Sequence, residues 1–155
     1  MRLKGKVAIV TGATSGIGKA IALEFAKEGA GVCVTGRNLG KAKQVAEEIR
    51  RMGRQATELQ VDVTKISDID KMVTSTIDNH GKIDILVNNA GVYRKSPIIE
   101  VTEADWDITL DVMLKGTFFC TQRVLPQMLK QGKGKVINIA STFGQIGFFD
   151  ASAYC

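Results

Sequence analysis

The chain holds three cysteines, two prolines, one tryptophan and a single histidine among 155 residues. Cys33, Cys120 and Cys155 are odd in number and lack CxxC spacing, which argues against a disulfide framework and against a thiolate metal site. They read as reduced thiols. His80, standing alone, removes histidine-based metal centres and Ser-His-Asp chemistry, and its expected place is a helix end. No metal is therefore expected. No apolar run approaches the roughly 18 residues that span a bilayer, and Met1-Arg2-Leu3-Lys4-Gly5-Lys6 enters a strand without a signal-peptide core. The expectation is a cytoplasmic chain with no membrane partner. Net charge is +5, but its clusters, Arg50, Arg51 and Arg54 and then Lys130, Lys133 and Lys135, fall near helix ends, where cations offset the dipole. A nucleic-acid partner would want a continuous basic face, so none is expected.

What is present is a regular alternation. With 45% hydrophobic residues, the 155 residues suit a single domain with a sizeable core. Apolar runs at residues 7–10 and 30–36 read as strands, and residues 57–63, 83–87 and 135–140 as three more. Helical periodicity separates them. Ile17, Ile21, Ala22, Phe25 and Ala26 mark the first helix, with Gly29 at its end, and Ala42, Val45, Ala46, Ile49 and Met52 the inner face of the second. Ile66, Ile69, Met72, Val73 and Ile77 mark the third, closed by Gly81. A long helix follows over residues 103–130, with Thr102 as N-cap and Pro126 as a kink or early end. Residues 142–154 read as a loop. Strands joined by helices of this size predict an α/β fold, a doubly wound parallel sheet with helices on both faces.

The first strand leads into Thr11-Gly12-Ala13-Thr14-Ser15-Gly16-Ile17-Gly18. A glycine-rich turn between a buried strand and a helix N-terminus presents unpaired amides to an anion. Gly12 is expected to permit the tight turn, Gly16 to keep bulk away from the ligand and Gly18 to allow close helix packing. The turn alone leaves a purely structural reading open. At the end of the second strand, where an acidic residue would grip ribose hydroxyls, the chain reads Val34-Thr35-Gly36-Arg37-Asn38. Arg37 offers a guanidinium fork to a 2′-phosphate, with Gly36 leaving room, which favours NADP with NAD as the alternative. The bland alternative makes Arg37 a solvated residue before the helix cap Asn38.

These motifs together resemble the N-terminal part of a short-chain dehydrogenase/reductase of the classical type. Thr11 to Gly18 matches the TGxxxGxG turn and Asn88-Asn89-Ala90-Gly91 the NNAG motif, collinear from Gly5 to Tyr154. The resemblance implies a Rossmann-like sheet of about five strands in the order 3-2-1-4-5, without the family's C-terminal strands. It also assigns residues. Gly12, Thr14, Ser15, Gly16, Ile17, Gly18, Arg37, Asn38, Asp62, Val63, Asn89, Ala90 and Gly91 would hold the cofactor, Asp62 at the adenine amino group and Asn89 and Gly91 on the ribose side. Asn88 is expected to be structural. Tyr154 and Ser141 correspond to the catalytic tyrosine and serine, acting on a small carbonyl or alcohol substrate by hydride transfer, in a homo-oligomeric parent.

Two departures bear on that implication. The family's YxxxK lysine would fall beyond Cys155, so the chain is expected to be most of a cofactor-binding half, truncated after Tyr154, with doubtful activity of its own and an exposed fifth strand. Met113 stands where the family usually carries an asparagine that supports a helix bend and a proton relay. Met113 itself reads as core filler. Three readings stay open: an NADP-dependent reductase, a dinucleotide-binding module without catalysis, and a poorly folded chain acting only through protein contacts. Phe143, Ile146, Phe148 and Phe149 offer either an apolar wall for substrate or a packing surface, and Tyr93, Arg94 and Lys95 are expected near the cleft.

Overall fold

The run Val7–Val10, too short for a helix and wholly buried, forms strand β1 at the centre of a parallel sheet in a computed structural model that describes residues 1–155. The chain continues through α1 (Gly16–Lys27), β2 (Gly31–Gly36), α2 (Leu39–Arg51), β3 (Ala56–Gln60), α3 (Ile66–His80) and β4 (Ile85–Asn88). A short 3-10 turn at Ile98–Glu100 precedes α4 (Glu103–Leu110), a π turn (Asp111–Lys115), α5 (Gly116–Lys130), β5 (Lys135–Asn138) and α6 (Phe143–Ile146). Strand order is β3-β2-β1-β4-β5, as the family resemblance implies, and every pair is parallel, as the alternation of strands and helices predicts.

Alternation along the strands divides the interior in two. Ala8 and Val10, Val32 and Val34, and Ile85 and Val87 face one core with Ala22 and Ala26 of α1 and Ala42, Val45, Ala46 and Ile49 of α2. Ile9, Cys33 and Leu86 face the other, with Ile69 and Met72 of α3 and Cys120, Val124 and Met128 of α5. A sheet covered on both faces needs strands without a polar face, and that is why β1 and residues Ile85 to Val87 of β4 read as unbroken apolar runs. Because β1 lies between β2 and β4, the chain leaves it in opposite directions, and the crevice at the carboxyl ends opens at this switch point.

Several boundaries differ from the expected ones. The third strand ends at Gln60, because Asp62 starts a turn in which its Oδ1 accepts from the Thr64 amide at 3.1 Å and the Thr64 hydroxyl at 2.8 Å. Part of the expected loop after β5 folds as the single turn α6. Pro126 does not end α5, which runs on to Lys130. Met52 is expected on the inner face of its helix, yet it is exposed; Ile17, expected at the cofactor, is exposed on the wall of the crevice. Thr102 does cap α4, accepting from the Asp105 amide at 3.1 Å. His80 ends α3, where its Nε2 pairs with the Thr57 hydroxyl at 2.9 Å and burial pushes the imidazole below its usual range. β5 is exposed along its length, Val136 and Ile137 included.

The arginine cluster acts locally. Arg50 pairs with Glu58 and donates to the Ala56 carbonyl at 2.9 Å, tying α2 to β3, and Arg54 donates to the Ala26 carbonyl at 3.2 Å. Burial pushes the thiols of Cys33 and Cys120 up to about 12, whereas Cys155 is exposed. Native protein treated with an aromatic disulfide reagent at pH ~8 should therefore show one fast-reacting thiol, and all three after denaturation. Fast modification of more than one thiol in the native state would contradict this packing.

Candidate functional site

The turn after β1 is held by two residues on opposite sides of the crevice. Thr11, fully buried, accepts the amides of Asn89 and Ala90 on its hydroxyl oxygen, both at 3.0 Å, and donates that hydroxyl to the Val87 carbonyl at 3.3 Å. Asn89 answers with its side-chain amide, which donates to the carbonyls of Thr11 at 2.9 Å and Gly12 at 3.3 Å. Sequence reasoning assigned no role to Thr11; its place at the head of the glycine turn was the available signal. Gly18 is buried under this joint: a Cβ there would lie 2.4 Å from both the Asn89 amide nitrogen and the Gly12 carbonyl oxygen. Close packing at Gly18 is thus real, although the partners are the turn and Asn89 and not a strand.

Gly16 differs from the expectation. Its φ is +53° and a Cβ would meet nothing within 4 Å, so the demand for glycine is conformational and not one of space. The amides of Gly16, Ile17 and Gly18 have no acceptor in the protein, and no side chain caps α1. Three unfilled donors at the positive end of a helix dipole form an anion-binding cradle.

Around this cradle lies a cleft of about 580 Å³. Its walls include all thirteen residues expected at the cofactor, from Gly12, Thr14, Ser15, Gly16, Ile17 and Gly18 through Arg37, Asn38, Asp62 and Val63 to Asn89, Ala90 and Gly91. Gly36, Lys41, Val61, Val92 and Val112 complete it, and of these Lys41 is the charged residue that sequence reasoning passed over. Asn38 caps α2, accepting from the Lys41 amide at 2.9 Å, which fixes the start of the helix that carries Lys41. Gly36 corrects a reading made from sequence. A Cβ there would come 2.6 Å from the Thr14 methyl group, so its bareness admits Thr14 and not a phosphate. Asn88 lies beneath the cleft as a structural residue, donating to Thr121 at 3.0 Å and to Asn138 at 2.9 Å and so joining β4 to α5 and β5.

Ser141 and Tyr154 do not line this cleft. Tyr154 packs edge-on against Tyr93, ring centres 5.2 Å apart, one residue beyond the cleft residue Val92. Ser141 Oγ accepts from the Phe143 amide at 3.2 Å, which leaves its hydroxyl proton available. Phe143, Phe148 and Phe149 stack in succession at 4.3 and 4.5 Å, with Lys95 Nζ 5.4 Å above Phe149. Arg94 reaches Asp105 at 3.7 Å and Lys95 reaches Asp150 at 3.9 Å, so both charges are locally balanced. Met113 lies in the π turn, half-buried against the second core. The bend therefore forms without an asparagine amide; Lys115 and Asp111 span it at 3.1 Å, and a Cβ on Gly116 would press to 2.9 Å from Val63.

The strand order and the cleft at the switch point define a Rossmann-fold α/β protein. The short chain dehydrogenase family model matches residues 6–155. The chain belongs to the short-chain dehydrogenase/reductase family. It is 42% identical over 141 residues to (2S)-[(R)-hydroxy(phenyl)methyl]succinyl-CoA dehydrogenase subunit BbsD of Thauera aromatica, covering 91% of this chain and 57% of that protein. It is 41% identical over 143 residues to 3-oxoacyl-[acyl-carrier-protein] reductase FabG of Staphylococcus epidermidis, covering 92% and 59%. Among solved structures, NAD+-bound xylitol dehydrogenase superposes with a TM-score of 0.95 at 32% identity, covering 99% of this chain and 60% of that one. The chain thus spans about three-fifths of the length of these relatives.

Proposed function

We propose that this chain is the NADP(H)-binding part of an oxidoreductase that reduces a carbonyl, or oxidises an alcohol, by hydride transfer. The observation that carries the reading is the cleft itself: unfilled amides at the α1 N-terminus at one end, Arg37 and Asp62 at the other, and Asn89 locking the turn between them. Its fit to a dinucleotide is tested by the cradle, since three donors without acceptors suit a pyrophosphate. Asp62 has Oδ1 engaged with Thr64, which leaves Oδ2 to accept from the adenine amino group. Arg37 forms no ion pair within the protein and lies on the cleft wall, where its fork suits a 2′-phosphate.

The nicotinamide, when bound, supplies or accepts the hydride. The protein's part is to place the substrate oxygen and to move a proton. Ser141, whose Oγ already accepts from Phe143, donates its hydroxyl to the substrate oxygen, and Tyr154 gives that oxygen its phenolic proton in the reducing direction. A second reading, a dinucleotide-binding module without catalysis, is favoured by Met113, whose thioether offers neither the donor nor the acceptor of an amide.

Titration followed by nicotinamide fluorescence tests the cofactor assignment. NADPH should bind at least tenfold more tightly than NADH, and Arg37→Ala should remove most of that preference, because a charge-assisted bidentate pair is worth roughly 1.5–3 kcal/mol. NADH binding as tightly as NADPH, with Arg37→Ala changing neither, would sink it. Carbonyl reduction that disappears in Tyr154→Phe supports the reductase, and saturable NADPH binding without turnover supports the module.

A further inference from the structure

Both tyrosines and three of the six phenylalanines of the chain fall in one array of touching rings. Phe149 stacks on Phe148 with ring centres 4.5 Å apart, and Phe148 on Phe143 at 4.3 Å. Phe143 meets Tyr154 edge-on at 6.3 Å, and Tyr154 meets Tyr93 edge-on at 5.2 Å. None of the five belongs to either core, and Tyr93, Phe148 and Phe149 are exposed. Ring surface left open to water in this way, contiguous and beside a reactive group, marks a place where a ligand sits.

The two loops that carry the rings are fastened to each other. Ser96 pairs with Ala151 in a parallel bridge, and its amide donates to the Asp150 carbonyl at 2.9 Å, while Lys95 reaches the Asp150 carboxylate at 3.9 Å. Asp150 holds φ at +58°, the one residue other than glycine in the left-handed region. Strain of this kind persists only where the surrounding contacts fix it, and here it turns the chain between Phe149 and Tyr154. The amides of Tyr154 and Cys155 then return to the Ala151 carbonyl at 2.9 and 3.0 Å. Rings held in place before a ligand arrives lose little freedom when it binds. The charges beside them are already matched, Arg94 by Asp105 and Lys95 by Asp150, so a neutral ligand fits better than an ionic one.

Resting on the reductase reading above, we infer that this array recognises the aryl group of the substrate, a neutral aryl ketone or aldehyde whose carbonyl lies next to its ring. The placement follows from Tyr154. Its ring neighbours are Tyr93 and Phe143, so the substituent on a carbonyl that takes its proton lies against aromatic faces and edges. A second aryl ring gains from offset-stacked and edge-to-face contact beyond the area it buries, whereas a saturated ring of the same size gains the area alone. Tyr93 and Phe148, the exposed rings that flank the Phe143–Tyr154 pair, are the specificity-determining residues.

The test compares acetophenone with cyclohexyl methyl ketone, which carries the same carbonyl on a saturated ring, by ligand-observed NMR titration of the whole chain in the presence of NADP+. The oxidised cofactor keeps the ketone unreduced during the measurement. Wild type should bind acetophenone about fivefold more tightly, as expected for one aromatic contact beyond burial. Tyr93→Leu/Phe148→Leu keeps apolar bulk and removes the rings, and should bring the two ketones within about twofold of each other. Tyr93→Phe/Phe148→Tyr should keep the preference. An unchanged thermal midpoint checks that the variants fold. Equal affinity of wild type for the two ketones, binding of neither, or a preference that survives in the leucine variant overturns the inference and leaves the cofactor site standing. A chain that takes up neither NADPH nor NADP+ overturns both.

Discussion

Gly18→Ala is expected to abolish nucleotide binding and to lower stability by about 3 kcal/mol, roughly 10 °C in thermal midpoint for a chain of this size. The added methyl would lie 2.4 Å from two fixed neighbours, the Gly12 carbonyl oxygen and the Asn89 side-chain nitrogen. One is backbone and cannot rotate away. The other can move only by giving up its hydrogen bonds to the Thr11 and Gly12 carbonyls, which would leave those groups unpaired in the turn. Either response widens the turn and swings the α1 amides away from the cradle. Gly16→Ala is the matched control. It meets open space and costs only the strain of a positive φ, about 1–2 kcal/mol, so its loss of NADPH affinity should stay below about tenfold. If the two variants bind NADPH equally well, the joint between turn and Asn89 does not shape the cradle.

That contrast also shows what could be read from the sequence. The glycine spacing identified the turn, and apolar runs identified β1 and β2, because burial on both faces demands residues without a polar side. The thirteen residues that the family resemblance assigns to a cofactor line one cleft, because each sits at the carboxyl end of a strand, in the turn that follows or in the first turn of the next helix, positions that parallel topology brings to one edge. Reasons for individual glycines were less legible. Gly16 and Gly36 look alike in sequence, yet one answers to backbone conformation and the other to the Thr14 methyl, a contact between residues 22 apart. Thr11 escaped notice for the same reason: its partners, Val87, Asn89 and Ala90, come from β4 and the loop after it. Ile17 fits the helical period of the core face but falls in the first turn, where the helix has not yet reached the sheet. The bend at Met113 depends on backbone and packing around Gly116 and Val63, which a motif comparison of one side chain cannot register.

The second large effect lies away from the cleft, at the opposite ends of β1 and β4. Asp84 is 4% exposed and accepts from the Val7 amide at 3.0 Å, with Lys82 Nζ at 3.0 Å and Lys6 Nζ at 3.4 Å. Burial opposes its ionisation, but the Lys82 hydrogen bond, the Val7 amide and the charges of Lys82 and Lys6 together outweigh it and hold the carboxyl below its usual range. Asp84→Ala should cost about 3 kcal/mol near neutrality, at the low end for a broken buried pair because both lysines can turn to water. Asp84→Asn should cost less, since an amide oxygen can still accept from Val7. The sign of the pH dependence follows from the depressed value. Asp84 contributes its full stabilisation above the unfolded carboxyl value of about 4, and that contribution is lost as pH falls through the lower folded value. Urea unfolding of wild type and Asp84→Asn should therefore give a gap that is constant above pH ~5 and closes in more acid solution. A gap that persists unchanged into acid would show that the carboxylate charge contributes nothing to stability there.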